Sequence, residues 1–135
     1  MAGSLKATNG NYLIKIYLRM NVLSLIKDEH LLVIIQNPLS DTKLIEFQKK
    51  LIKKAKKEDI EGIIVDVRGL NVIDSFTSRV FQDLTDRLKS KGISVVFINI
   101  RSSVAYTIKR YGSAMKLPET AENIEEGLYL LKKTE

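Results

Sequence analysis

The stretch GIIVDVRGLNVIDSFTSR, residues 62–79, decides the fold. Its first six residues form a nearly continuous apolar run, which is typical of a strand covered on both faces. A short loop containing Gly69 follows, and Asp74 or Ser75 then stands where a helix can begin, because short polar side chains cap helix N-termini. Beyond that point apolar side chains recur at helical spacing, at Phe76, Val80, Phe81, Leu84 and Leu88. The stretch therefore predicts a buried strand followed by an amphipathic helix.

The same strand-and-helix unit occurs on both sides of this stretch. Downstream, residues 93–100 form a second apolar run, the serines at 102–103 can open a shorter helix, and Thr120 is a candidate cap for a final helix. Upstream, Ser40 or Asp41 can cap a helix. The apolar face of that helix would comprise Leu44, Ile45, Gln48, Leu51, Ile52 and Ala55.

Two short apolar runs precede the first helix, at residues 22–26 and 31–35. Four polar residues separate them, which indicates a β-hairpin. The order of elements is then β-β-α-β-α-β-α-(β)-α. Because a helix between two buried strands implies a parallel crossover, we predict a single α/β domain with a mixed sheet.

The length of 135 residues leaves room for one domain. Residues 1–11 are small and polar and are typical of a tail, whereas residues 12–18 carry apolar side chains at period two, as an edge strand does. We therefore place the domain at residues 20–135. Residues 1–19 are interpreted as a tail or an extra N-terminal strand, of native or added origin.

The composition excludes most familiar enzyme chemistry. The chain has no cysteine and one histidine, His30, which excludes thiol nucleophiles, disulfides, Cys-rich zinc sites and any His-dependent triad without His30. His30, beside Asp28 and Glu29 in the predicted hairpin turn, is interpreted as an exposed turn residue. No apolar run is long enough to span a bilayer and the N-terminus shows no secretory signal, so we expect a cytoplasmic protein.

The basic charge of the chain has a local origin. The 22 Lys and Arg residues exceed the 16 Asp and Glu residues by six, which first suggests a polyanionic partner. Six lysines lie between Lys49 and Lys57 on the first predicted helix. That segment lacks the interleaved aromatic or arginine side chains that contact nucleic-acid bases. A solvated helix face or a subunit contact is therefore favoured over nucleic-acid binding.

Asp74 and Ser75 allow two interpretations. Either side chain can serve simply as a helix cap that accepts a backbone N–H. A hydroxyl at a helix N-terminus is also well placed for phosphorylation, because free amide groups and the helix dipole stabilise an added phosphate. The residues by themselves favour the capping role.

A family resemblance is carried by three segments, VIDSFTSRV at 72–80, GISVVF at 92–97 and IRSSVAYTI at 100–108. Across about residues 21–133 the chain is similar to the STAS domain, the fold of the anti-sigma-factor antagonists. The Asp-Ser-Phe tripeptide resembles in particular the S-type antagonists of bacterial stressosomes. The resemblance implies a mixed sheet with about four helices packed mainly on one face, and a regulatory protein without catalysis, metal or cofactor.

The resemblance also implies a site. In S-type antagonists the serine that matches Ser75 is phosphorylated, and Asp74 matches its acidic neighbour. The unmodified antagonist holds a switch-type serine kinase in a large complex, and phosphorylation helps to release it. A kinase-binding surface at Asp74, Ser75, Phe76, Ser78 and Arg79 is implied. The implied partners are that kinase, an R-type STAS paralogue and a phosphatase, in a homo- or hetero-oligomer without nucleic acid or membrane.

Several alternatives stay open beside this interpretation. Thr77 and Ser78 are alternative acceptors, since both carry hydroxyl groups close to Ser75. Thr107 weakly matches a second acceptor of the R-type paralogues, although a helix-packing role is favoured for it. The alternative function is a free-standing STAS antagonist that binds an anti-sigma kinase one to one.

Two rival interpretations rest on carboxylates. Asp66, near the end of a buried strand, resembles the phosphoacceptor of a receiver domain, but the acidic pair that such a domain needs is missing after the preceding strand. We interpret Asp66 as a residue that binds loop amides. Asp66, Asp74 and Asp83 together lack the spacing of a magnesium site.

Overall fold

The structure, a computed structural model, describes residues 2–6, 12–17, 22–111 and 117–134. The strands are β1 (Ala2–Lys6), β2 (Tyr12–Tyr17), β3 (Val22–Lys27), β4 (His30–Ile35), β5 (Gly62–Asp66), β6 (Ser94–Ile98) and β7 (Thr120–Ala121). The helices are α1 (Asp41–Lys57), α2 (Ser75–Lys89), α3 (Ser102–Tyr111) and α4 (Ile124–Thr134). The segment before residue 20 thus contributes β1 and β2 to the fold.

The strands form one mixed sheet in the order β1 to β7. β1 to β4 pair antiparallel, and β4 to β7 pair in parallel. The predicted hairpin and mixed sheet are confirmed. The interpretation of His30 as a turn residue is wrong, because Asp28 and Glu29 alone make the turn, with φ of 50° and 67°. His30 is half-buried at the start of β4, beside Gly62.

Helix α1 follows from its cap and its apolar stripe. The Ser40 hydroxyl accepts a hydrogen bond from Lys43 N at 3.3 Å, which satisfies one free amide of the first turn. Gln48, buried on the apolar face, donates to Val80 O at 3.0 Å and so joins α1 to α2. Lys54 is 7% exposed and so is not part of a solvated lysine face, because it lies one turn beyond the buried Leu51.

The helices cover the two faces of the sheet unequally. Ile63 and Val65 of β5 face the larger core, to which α1, α2 and α3 contribute, and the Phe81 and Phe97 rings meet there with centroids 4.9 Å apart. Ile64, between them on the strand, faces Leu131 of α4 on the other side. The expected packing of helices mainly on one face is confirmed.

The start of α4 differs from the prediction. Asn123 caps the helix, since its side-chain oxygen accepts a hydrogen bond from Glu126 N at 3.0 Å. Thr120 is not the cap and instead pairs with Phe97 as the first residue of β7. A threonine before an apolar run suits an edge strand as well as a helix cap. In this chain Thr120 pairs with β6 and does not cap α4.

Candidate functional site

The loop of residues 67–74 joins β5 to α2 at the carboxyl edge of the parallel strands. Val67 N donates to Ile98 O at 3.1 Å, and Gly69 N donates to Ile35 O at 2.9 Å. The loop is therefore hydrogen-bonded to the ends of both neighbouring strands. In open α/β sheets this edge is where binding sites are built.

A buried carboxylate fixes the start of the loop. Asp66, 1% exposed, accepts hydrogen bonds from Arg68 N at 3.0 Å, Arg68 Nε at 3.0 Å and Asn99 Nδ2 at 2.8 Å. The hydrogen bond to Asp66 raises the pKa of Arg68 above its ordinary value. Arg101 Nε in turn donates to Arg68 O at 2.8 Å. The interpretation of Asp66 as a residue that binds loop amides is confirmed.

Gly69 is required for a close approach between backbones. A Cβ built there would lie 2.3 Å from the carbonyl carbon of Gln36 and 2.4 Å from Ile35 O and Asn37 N. The sequence pattern marks Gly69 only as part of a loop. The structure adds that a side chain at this position would push the loop away from the end of β4, and Asp74 and Ser75 with it.

Asp74 takes the capping role, which leaves Ser75 without one. Asp74 Oδ1 accepts a hydrogen bond from Thr77 N at 2.8 Å, and Ser78 N donates to Asp74 O at 2.9 Å. The hydrogen bond from Thr77 N lowers the pKa of Asp74, so the carboxylate is ionised at neutral pH. Ser75 is the first residue of α2, and its side chain is exposed. The hydroxyl is therefore accessible beside an anionic cap.

The alternative hydroxyls are placed less favourably. Ser78 is 5% exposed, so it is neither an accessible acceptor nor part of a contact surface in the folded domain. Thr77 is half-buried, and its backbone N donates the hydrogen bond to Asp74. Thr107 Oγ1 donates to Ser103 O at 3.0 Å within α3, so this hydroxyl already has a partner inside its own helix. Ser75 is thus the accessible hydroxyl among the predicted acceptors.

The exposed surface around Ser75 extends beyond the predicted residues. Arg79 is exposed as expected, while Phe76 is half-buried against the core. Val72 was not among the predicted site residues, yet its side chain is 68% exposed in the loop before Asp74. A shallow cleft beside it is lined by Pro38, Leu39, Asp41, Leu44, Leu70, Asn71, Val72, Asp74 and Thr77. The sequence pattern does not mark Val72, because its exposure depends on the path of the loop over the domain.

The capping bond of Asp74 makes a prediction for stability. Asp74→Ala should lower the free energy of unfolding at pH 7 by about 1 kcal/mol, the usual cost of losing a cap. The pKa of Asp74 is lowered in the folded state, so its contribution is present above the ordinary carboxyl pKa and is lost as pH falls through the folded-state pKa. Urea unfolding of both proteins at decreasing pH measures the difference.

Asn is a good cap without a titrating group, so Asp74→Asn should unfold near wild type at pH 7. A deficit of Asp74→Ala that stayed constant into acid would contradict the role given to the carboxylate.

Metal-binding and membrane-spanning features are both absent from the described residues. No cluster of three or more His, Cys, Asp or Glu side chains suited to a metal occurs among them. Asp83 was one of three candidate magnesium ligands. Its Oδ2 instead accepts a hydrogen bond from Gln48 Nε2 at 2.9 Å and forms an ion pair with Arg87, whose Nε lies 3.0 Å away. Within the same residues no helix combines the length and the apolar character needed to cross a bilayer.

Comparison with solved structures gives relatives with the same fold. A serine-to-glutamate variant of RsbS from Moorella thermoacetica is 28% identical with a TM-score of 0.68, over 83% of this chain and 95% of that one. A chain from the stressosome, described as a signal integration and transduction hub, is 25% identical with a TM-score of 0.60, over 82% and 96%. TM1081 of Thermotoga maritima, 15% identical with a TM-score of 0.66 over 79% and 91%, shares the fold.

Comparison by sequence gives the family. No curated protein matches the chain significantly. The family model described as the STAS domain matches residues 21–127, which include β3 to β7 and the loop that carries Asp74 and Ser75. The chain therefore belongs to the STAS domain family.

Proposed function

We propose that this protein is a non-enzymatic, phosphorylation-switched antagonist and an S-type core subunit of a stressosome-like complex in the bacterial cytoplasm. The observation that carries the proposal is the separation of roles at the start of α2, where Asp74 caps the helix and Ser75 is exposed. The similarity to RsbS and to a stressosome chain supports it. In this function the unmodified protein binds a switch-type serine kinase of a stress-response sigma-factor pathway.

The position of Ser75 suits a reversible modification. A phosphate there would lie at the N-terminus of a helix of 15 residues, where the helix dipole and free amide groups stabilise negative charge. Removal of the phosphate leaves the helix intact, because its cap is the neighbouring Asp74. A kinase and a phosphatase can therefore act on Ser75 without unfolding the surface that they recognise.

The phosphate would change binding through its charge. It brings about −1.5 to −2 charges at neutral pH. Asp74 beside it is already ionised, because the hydrogen bond from Thr77 N lowers its pKa. Burying both anions against a partner combines repulsion with the cost of removing water from each. Phosphorylation thus releases a partner that contacts the Asp74–Arg79 surface.

The proposal is tested by locating the phosphate. After incubation with the co-encoded switch kinase and Mg-ATP, phosphopeptide mass spectrometry should find modification on Ser75 and none in the Ser75→Ala variant. Ser102→Ala, which removes another exposed hydroxyl at a helix start, is the matched control and should be modified like wild type. Modification that persists in Ser75→Ala, for example on Thr77, would remove Ser75 from this role.

The assembly part of the proposal has a separate test. Mixed with an R-type STAS paralogue, the protein should enter a particle many times larger than either component, as seen by light scattering during size-exclusion chromatography. A one-to-one complex with the kinase, and no larger particle in the mixture, would instead identify a free-standing antagonist.

A further inference from the structure

A basic groove lies on the outer surface of α1 and α2. We define it by the residues that line it, Lys49, Ile52, Lys53, Lys56, Lys57 and Arg87. The lysines are exposed, and Ile52 is half-buried between them. Arg87 is partly neutralised, because Asp83 Oδ2 lies 3.0 Å from its Nε. The groove therefore combines strong positive charge with an apolar floor.

An acidic segment with the opposite character leads into α4. It comprises residues 119–126, in which Glu119, Glu122, Glu125 and Glu126 are all exposed. Ile124 within the segment is 40% exposed, and Tyr129, five residues further along α4, is 65% exposed. Ile124 among these carboxylates complements Ile52 among the lysines of the groove. The segment offers the groove charges of opposite sign and one exposed large apolar side chain, Ile124.

The two surfaces belong to opposite sides of the same molecule. α1 and α2 pack on the face of the sheet that carries Ile63 and Val65, whereas α4 packs on the face that carries Ile64. They therefore cannot meet within one chain. They can meet between two copies, and such a head-to-tail contact leaves one groove and one acidic segment free at the ends, so further copies can add.

We propose that the basic groove of one copy binds the acidic segment of a second copy. The inference rests on the proposed function and deepens it, because it names a contact by which subunits assemble. Nucleic acid is a poorer occupant, since none of the residues lining the groove in the described part of the chain is aromatic. The apolar floor at Ile52 also favours a protein side chain over a phosphate backbone.

Charge reversal tests the contact in both directions. Wild-type protein in analytical ultracentrifugation should increase in mean mass with concentration at low salt, and salt should oppose this because it screens surface charges. Lys53→Glu/Lys56→Glu and Glu119→Lys/Glu122→Lys should each stay monomeric, since like charges then face each other. The equimolar mixture of the two variants should self-associate again, because every groove then meets a segment of opposite charge.

Controls and contrary results are defined by the same measurement. Lys43→Glu/Lys109→Glu changes the net charge equally at exposed lysines outside the groove and should associate like wild type. A monomeric wild type, association in both reversed variants, or a mixture that stays monomeric would each overturn the proposal. A different result would assign the groove to a polyanion. In that case the wild type would not self-associate but would bind duplex DNA or anionic vesicles in a salt-sensitive way, and of the variants only Lys53→Glu/Lys56→Glu would lose that binding.

The failure of this contact can be told apart from failure of the proposed function. Ser75 lies at the carboxyl edge of the sheet and in neither of the two surfaces. Both reversed variants should therefore be phosphorylated on Ser75 like wild type, whatever their mass. Loss of Ser75 modification in wild type would reject the function, whereas loss of association alone would reject only the contact.

Discussion

Gly69→Ala should lower the free energy of unfolding by about 3 kcal/mol, at the upper end of the cost of overpacking. The added Cβ would meet three backbone atoms of residues 35–37 at 2.3 to 2.4 Å, and backbone cannot rotate aside as a side chain does. Either the loop or the end of β4 must move, which breaks the bond from Gly69 N to Ile35 O. Urea unfolding followed by circular dichroism measures the loss.

Gly92→Ala is the comparison that isolates this cause. Gly92 has a positive φ of 79°, but an added Cβ would meet no atom within 4 Å. Its substitution should cost only about 1 kcal/mol, from backbone conformation. Gly69→Ala should in addition slow the phosphorylation of Ser75, because the displaced loop carries Asp74. Equal losses of stability in the two variants would show that close backbone approach is not the reason for Gly69.

Ser75→Glu should weaken the complex with the switch kinase about 100-fold, because binding would remove water from two adjacent anions, which costs several kcal/mol. The glutamate places a permanent charge beside the ionised Asp74 at the first turn of α2. Isothermal titration calorimetry of wild type and variant with the kinase gives the two dissociation constants.

Ser75→Gln separates the charge from the size of the side chain. Glutamine has nearly the same shape as glutamate without its charge, so this variant should bind within a few-fold of wild type. Equal weakening by glutamate and glutamine would make size the cause, and unchanged binding of Ser75→Glu would place the kinase on another surface. Raising the salt concentration should bring the dissociation constants of the two variants closer together, since salt screens the charge that distinguishes glutamate from glutamine.

The fold could be predicted from sequence where one pattern has one physical solution. The apolar run at residues 62–67 has to be covered on both faces, so β5 lies between two parallel neighbours. The helix from Asp74 has one apolar face, which packs on the sheet through Phe81 and Leu84. Together with the hairpin pattern at residues 22–35, these two patterns are enough to predict the mixed sheet and its parallel crossovers.

The details that the sequence left open depend on residues distant along the chain. Thr120 and Asn123 both suit a helix cap, and the choice between them is made by the pairing of Thr120 with Phe97. By sequence Lys54 looks as exposed as its neighbouring lysines, and its burial follows only from the packing of α1 on the rest of the domain. Gly69 shows its constraint only against the backbone of residues 35–37.

The sequence predicts where the candidate site lies, but it does not predict which of its residues caps the helix and which is exposed. Asp74 and Ser75 are equally good caps by residue type, and only the bond from Thr77 N to Asp74 assigns the role. Ser78 looked as accessible as Ser75, since its burial arises from the packing of α2. The exposure of Val72 likewise depends on where the loop runs over the domain.

The strand β7 consists of Thr120 and Ala121 alone, and it closes one side of the sheet next to β6. A long edge strand presents a row of unpaired N–H and C=O groups that can recruit strands from other molecules and start amyloid-like growth. β7 pairs only with Phe97 and Ile98, the last two residues of β6, and a strand of two residues is a poor template for such pairing. At this end of β6, many copies can therefore be crowded together at high local concentration without strand pairing through β7.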